Sequence, residues 1–149
     1  MILFSDAFKD VARVGFDTAP IIYFVEAHPT YNPTVTAIFQ GIDQAHYTGY
    51  TSSISLCETL TMPFKVGNLV LAERYRDLLL HSLNFMMLPI TAPIAEYAAK
   101  LRVRYQLRTP DALSVATAII NDCDLFLTND IHLRRITEIP VLLLDDLCL

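Results

Sequence analysis

Apolar positions along this chain follow two rhythms. Val11–Phe16, Tyr47–Ser53, Phe85–Leu88, Leu125–Leu127 and Val141–Leu144 are short runs bounded by turn formers, and their length with β-branched or aromatic content marks them as strands. Between them apolar residues recur every three to four positions, the signature of helices with one buried face. Val35, Ile38, Phe39 and Ile42 form such a stripe on a helix from Asn32 to about His46, and Ile94, Tyr97, Ala98, Leu101 and Tyr105 form another from Thr91 to Gln106. Glu96 and Lys100 on that second helix are an outward i,i+4 pair.

Cap and breaker residues set the remaining boundaries. Ser5 is expected to cap a turn of helix in an amphipathic lead-in over residues 1–10. Thr18 with Pro20, and Thr109 with Pro110, read as cap-then-proline helix starts. His28-Pro29 ends the first helix after Glu26, Ser53 or Ser55 caps the helix carrying Glu58 and running into Pro63, and Asn68 caps one through Leu83. Asn129 to Ile136 reads as a short helix. Leu69, Val70, Leu71, Leu78, Leu79, Leu80 and Leu83 give the Asn68 helix more apolar surface than one core stripe needs. It is therefore either sandwiched inside the domain or a surface for self-association or a partner. Strands separated by helices imply an α/β fold with a parallel sheet and helices on both faces.

Composition narrows the class. With 149 residues, 53% hydrophobic side chains and no linker or repeat, one compact domain over residues 1–149 is expected. The cysteines Cys57, Cys123 and Cys148 are odd in number and lack zinc-site spacing, and no apolar run approaches a membrane span. A soluble, cytoplasmic protein is expected, with no membrane partner. The net charge of −5 argues against a generally basic nucleic-acid binder. Of the 16 acidic side chains, however, four belong to the cluster described next, and the remaining 12 nearly balance the 11 Lys and Arg.

Those four are Asp17, Glu58, Asp111 and Asp130, each at a point where a strand or turn hands over to a helix, with no basic residue adjacent in sequence. In parallel sheets ligands collect at the carboxyl ends of strands, so all four can meet at one rim. Like charges about 4 Å apart repel by roughly 4 kcal/mol at an effective dielectric near 20, and such a cluster needs a divalent cation or bound protons. Singly, each has a plainer explanation: Asp111 complements a helix dipole, Asp130 caps, Asp17 turns the chain and Glu58 is solvated. Together they point to metal-assisted chemistry. A D-x-D phosphatase motif is absent, since Asp17-Thr18-Ala19 follows the first strand, and so is the adjacent acidic pair of a receiver domain.

The segments FDTAPIIYFVE, SSISLCETL, RTPDALSVATAII and LFLTNDIHL, in this order, resemble the motifs of the PIN domain, in particular VapC-type toxin ribonucleases. The resemblance covers about Val14 to Leu144 and leaves residues 1–10 as an N-terminal extension. It implies a single-domain, three-layer fold with a four- or five-stranded parallel sheet. It also implies an acidic pocket for Mg²⁺ or Mn²⁺, and cleavage of RNA phosphodiester bonds by the toxin of a toxin–antitoxin pair, with a homodimer and a cognate antitoxin as partners. Asp17, Glu58, Asp111 and Asp130 match the family's acidic quartet, Thr128 and Asn129 its polar shoulder, and Ser52 or Ser53 its small hydroxyl. Asp17 and Asp111 are assigned as direct metal ligands, Glu58 and Asp130 as groups acting through water. Arg108, three residues before Asp111, is the leading substrate contact among Arg74, Arg76, Arg102, Arg104, Arg108, Arg134 and Arg135. The competing reading is a non-catalytic PIN-like module that binds RNA or protein.

Overall fold

The computed structural model describes residues 1–149. In chain order its strands are β1 (Ile2–Leu3), β2 (Arg13–Phe16), β3 (Thr48–Ser52), β4 (Phe85–Leu88), β5 (Leu125–Thr128), β6 (Val141–Leu143) and β7 (Leu147–Cys148). Its helices are α1 (Phe4–Ala7), α2 (Thr18–Val25), α3 (Asn32–Asp43), α4 (Ser53–Val66), α5 (Leu69–His81), α6 (Ala92–Tyr105) and α7 (Thr109–Ile120), with 3₁₀ turns at Ile131–Arg135 and Leu144–Asp146. Five strands form one sheet in the order β4-β3-β2-β5-β6, parallel throughout. The chain builds outward from β2 through β3 to β4, then returns to lay β5 on the other side of β2. The order therefore reverses between β2 and β5, and their carboxyl ends open the crevice where such sheets bind ligands.

Alternation along the strands divides the core into two. Val14 and Phe16 of β2 and Leu125 and Leu127 of β5 face a layer filled by Ile21, Val35, Ile38, Phe39, Tyr75 and Leu79. Phe126 faces the other layer, with Ile94, Ala98 and Leu101 of α6 and Ala112, Val115, Ala116 and Ala118 of α7. Gly15 lies between Val14 and Phe16 and so faces α7. A Cβ there would stand 2.6 Å from Ala118 Cβ, so the missing side chain is what lets α7 lie directly on β2.

Several boundaries differ from the sequence expectation. Residues 1–10 are not capped by Ser5: Leu3 precedes α1, no side chain caps it, and β1 pairs in parallel with β7. Phe4 and Phe8 form a tilted pair with ring centroids 4.8 Å apart, and Phe8 packs on Tyr47 at 5.0 Å. Thr18 and Thr109 are first helical residues rather than caps; the preceding Asp17 and Arg108 hold the cap positions. Ser52, not Ser53 or Ser55, caps α4 by accepting from Ile54 N–H. α4 also runs past Pro63, which lies inside the helix and has no N–H to donate to the preceding turn. It stops at Gly67, whose left-handed φ of 71° turns the chain while Asn68 N–H bonds to Pro63 O. The Asn129–Ile136 helix is the shorter 3₁₀ turn.

α5 settles one open alternative. Ala72, Tyr75 and Leu79 are buried, but Leu69, Val70, Leu80 and Leu83 are exposed, as are Met62, Phe64 and Val66 on neighbouring α4. The helix is not sandwiched within the domain; its second apolar face is open in the single chain. Glu96 and Lys100 point outward but form no ion pair. No helix is long and apolar enough to cross a membrane.

The close approach at Gly15 predicts that Gly15→Ala lowers stability by roughly 1–3 kcal/mol, the usual range for overpacking a filled core. The check is the urea midpoint at unchanged m-value, which separates lost stability from a changed unfolded state.

Candidate functional site

β2 and β5 end side by side, with Phe16 registered against Leu127 and the Asp17 N–H bonded to Leu127 O at 2.9 Å. Asp17 is therefore fixed at the switch point by the backbone itself. Its Oδ1 accepts from Thr18 N–H at 2.9 Å, and its Oδ2 accepts from the Thr128 hydroxyl at 2.7 Å. Thr128 Oγ1 in turn accepts from Asp130 N–H at 3.1 Å, so one hydroxyl ties the first acid to the segment carrying the fourth. Asp130 caps the 3₁₀ turn, with Oδ1 accepting from His132 N–H at 2.9 Å.

Burial dominates the state of Asp17. Removal from water pushes its carboxyl up, the two hydrogen bonds pull it back and the negative charges of Asp111 and Glu58 push it up again, which together leave it at about 6. Asp17 thus senses two other members of the quartet. Arg108 senses Asp111, Asp130 and Glu58 together. Asp17, Glu58 and Asp111 thus lie within electrostatic reach of one another, and Asp130 shares a cleft with Asp111.

They do not all stand free. Arg108 forms a two-pronged ion pair with Asp111, Nε to Oδ2 at 3.0 Å and Nη2 to Oδ1 at 3.4 Å. Asp111 is thus neutralised by a residue one helical turn away, contrary to the expectation from its immediate neighbours, and Arg108 is engaged with an acid rather than facing solvent alone. The Asp111 side chain is 15% exposed and that of Arg108 76%, so the arginine lies as a lid over the carboxylate. No three His, Cys, Asp or Glu side chains converge closely enough to coordinate one ion between them. The donors nevertheless suit a hard divalent cation: all are carboxylate oxygens, and Asp17 is held in the crevice without a cationic partner. For Asp111 to join Asp17 as a ligand, Arg108 must release it.

Behind Glu58 lies a buried hydroxyl chain that the sequence did not reveal. Thr18 Oγ1 donates to Glu58 Oε1 at 2.8 Å, and lies 2.8 Å from Ser55 Oγ, which is 2.9 Å from Thr51 Oγ1; Thr51 donates to Phe16 O at 3.1 Å. Three hydroxyl protons serve four contacts. A proton on Glu58 would fill the chain, with Glu58 donating to Thr18, Thr18 to Ser55, Ser55 to Thr51 and Thr51 to the carbonyl. Ser53, the expected small hydroxyl, makes no side-chain hydrogen bond; Ser55, one turn before Thr59 and fully buried, takes that place. A serine three residues before an acid on a helix was the available signal, but Ser52, Ser53 and Ser55 are indistinguishable without the register.

Asn129 faces away from the acids: its Oδ1 accepts from Asp145 N–H at 3.2 Å, and Asp145 accepts from Tyr31 Oη at 2.6 Å. Asp146 pairs with Arg134. Asp145 and Asp146 are therefore part of the fold's closure. Glu26 accepts from Tyr75 Oη.

The PIN domain family model matches residues 15–139 of the chain. Among solved structures, the chain is similar in fold to VapBC2 from Rickettsia felis bound to a promoter DNA fragment, with TM-score 0.68 and 19% identity over 87% of this chain and 96% of that one. It is also similar to a toxin–antitoxin complex from Klebsiella pneumoniae, with TM-score 0.64 and 23% identity over 89% and 97%. A third is VapC20 from Mycobacterium tuberculosis, a Sarcin-Ricin loop cleaving toxin, with TM-score 0.66 and 18% identity over 87% and 99%. No curated protein sequence matches the chain.

The raised Asp17 carboxyl gives a pH dependence of stability. Between the ordinary carboxylate value of 3.8 and about 6 the native state binds more protons than the unfolded state. Stability therefore falls as pH rises through that window. In the presence of chelator, Asp17→Asn is expected to raise the melting temperature at pH 7.5 and to leave it little changed at pH 4. Thermal melts of both proteins at the two pH values check the sign.

Proposed function

Because this chain belongs to the PIN domain family, we propose that it is a divalent-metal-dependent endoribonuclease, the toxin of a toxin–antitoxin pair. What supports this reading above all is that Asp17 stands buried and without a cationic partner at the crevice between β2 and β5, within electrostatic reach of Glu58 and Asp111, with Asp130 sharing a cleft with Asp111. A buried carboxylate without a cationic partner is a cost to the fold that a bound cation offsets. Asp17 and Asp111 are the proposed direct ligands of Mg²⁺ or Mn²⁺, whose bound form supplies an activated water and polarises the scissile phosphate.

The chain's own groups divide the remaining work. Thr128 and Thr18 N–H orient Asp17, and Asp130, fixed by its cap bond to His132 N–H, faces the same cleft as Asp111. Glu58 takes the proton from the attacking water, and the hydroxyl chain through Thr18, Ser55 and Thr51 has room for that proton. Arg108, once released from Asp111, is the candidate to meet substrate phosphate, since its guanidinium is exposed. The Arg108–Asp111 pair also favours a second reading, a PIN-like module that binds RNA or protein without turnover because one ligand is permanently engaged. Metal-dependent turnover separates the two.

Protein partners follow from the open apolar face. Leu69, Val70, Met62, Phe64 and Val66 stand together around the α4–α5 turn, and an apolar surface of this kind marks an association site. We assign it to a homodimer, with the cognate antitoxin as the further partner. The unpaired cysteines fit a reducing, cytoplasmic setting.

The wild type is expected to cleave single-stranded RNA with Mg²⁺ or Mn²⁺ and not with chelator. Asp17→Asn should fall to the chelator background and Glu58→Gln should lose roughly 10²–10⁴-fold in rate. Folded variants with undiminished cleavage, or a wild type inactive with both metals, would overturn the reading. Light scattering should give twice the 16.8 kDa mass of one chain. Leu69→Lys with Val70→Glu should give the single-chain mass with an unchanged melting temperature.

A further inference from the structure

The arginines of this chain sort by what their charge meets. Arg76 pairs with Glu73, Arg104 with Glu138, Arg134 with Asp146 and Arg108 with Asp111. Arg13, Arg74, Arg102 and Arg135 bond instead to backbone carbonyls, so their charge is oriented without being cancelled by a carboxylate. Of these four, only Arg135 lines the cleft that Asp111 and Asp130 also line, a space of about 270 Å³ between the 106–108 loop and the 3₁₀ turn.

Arg135 is also held in place. Its Nη2 donates to Tyr105 O at 2.7 Å, and its Nε donates to His132 O at 3.2 Å. Two anchors on backbone fix the plane of the guanidinium, leaving Nη1 without a protein acceptor. Gln106 beside it adopts a left-handed φ of 58°, held by its N–H on Arg102 O at 2.8 Å, while its carboxamide makes no hydrogen bond within the chain. A fixed cation and a free amide thus share a cleft with two acids of the site. Phosphate esters are what a preoriented guanidinium with an open edge binds best.

We infer that the Arg135 cleft is a subsite for a backbone phosphate of the RNA next to the scissile one, with Arg135 as its anchor. The inference rests on the ribonuclease reading and deepens it. Arg135 is a positioning residue: it holds the strand in register with the acids and does not touch the reacting atoms. The plainer role, closing the carboxyl end of α6 through Tyr105 O, is present as well, and the two are separable because only phosphate binding depends on salt through released counterions.

The test is fluorescence anisotropy with a labelled single-stranded RNA of mixed sequence, in chelator, across a series of KCl concentrations, beside cleavage assays with Mn²⁺. Arg135→Ala is expected to weaken binding several-fold and to reduce the slope of log affinity against log salt by about 0.7, the value for one single-strand phosphate contact. Arg134→Ala, whose parent is already paired with Asp146, should leave the slope unchanged. Arg135→Gln keeps a donor at the place of Nε, which bonds His132 O, and removes the charge, so it carries the test if the alanine variant does not fold. An unchanged slope in Arg135→Gln or Arg135→Ala, with wild type binding and cleaving RNA, overturns the subsite alone. A wild type that neither binds nor cleaves RNA overturns the subsite and the ribonuclease reading together.

Discussion

Asp17 sits where two neighbouring parallel strands release the chain in opposite directions, and most of the site depends on keeping its carboxylate there. Burial opposes its charge, Asp111 and Glu58 oppose it further, and only two hydrogen bonds favour it. Asp124, at the opposite rim, shows the contrast: its Oδ2 accepts from Ala12 N–H at 2.8 Å and Arg13 N–H at 2.9 Å, and it lies exposed. One rim uses a carboxylate to complete the sheet; the other holds one at a cost. A carboxylate held against its own solvation is the usual mark of a group kept for chemistry rather than stability.

The geometry that holds Asp17 is built from small residues in the right places. Gly15 lets α7 lie against β2, which brings Asp111 to the same rim. Thr128 bridges Asp17 and the backbone of Asp130 with one hydroxyl, so separating β2 from β5 breaks the Thr128–Asp17 bond. On the far side, β1 pairs with β7 and Asp145 is held by Asn129 and Tyr31. These contacts tie the two chain termini to each other and to the shoulder of the site.

Strands and helix stripes were legible because alternation and the 3.6-residue period are local properties of the sequence. Phe85–Leu88 matches its expected bounds, and the buried face of α6 includes Ile94, Ala98 and Leu101 as expected. The places of Asp17 and Asp130 were legible for a related reason, since each lies just past a strand, whereas Glu58 lies inside α4 and its direction depends on how that helix is seated. Cap positions were less so, since Asp17-Thr18 and Arg108-Thr109 place a good capping residue one step inside the helix. The β1–β7 pair joins residues at the two ends of the chain, and nothing in Ile2-Leu3 or Leu147-Cys148 encodes that partner. Ser55 and Thr51 were missed because the register of β3 against β2 brings them behind Glu58, and register is not a local property.

The arginines show where sequence distance misleads in the other direction. Arg108 stands out in the sequence as a substrate contact because it lies three residues before Asp111, yet that same spacing, one helical turn, carries it onto the Asp111 carboxylate. Arg134 and Arg135 are adjacent and chemically identical, but one meets Asp146 and the other two carbonyl oxygens. The first is electrically silent to an approaching polyanion; the second keeps its charge and adds a fixed orientation. A net charge of −5 therefore does not by itself describe what a ligand would meet at short range, which is the local arrangement of uncancelled charge. At the cleft beside Asp111 and Asp130 that arrangement is set by which carboxylates are already satisfied, and Arg135 is the cation left over.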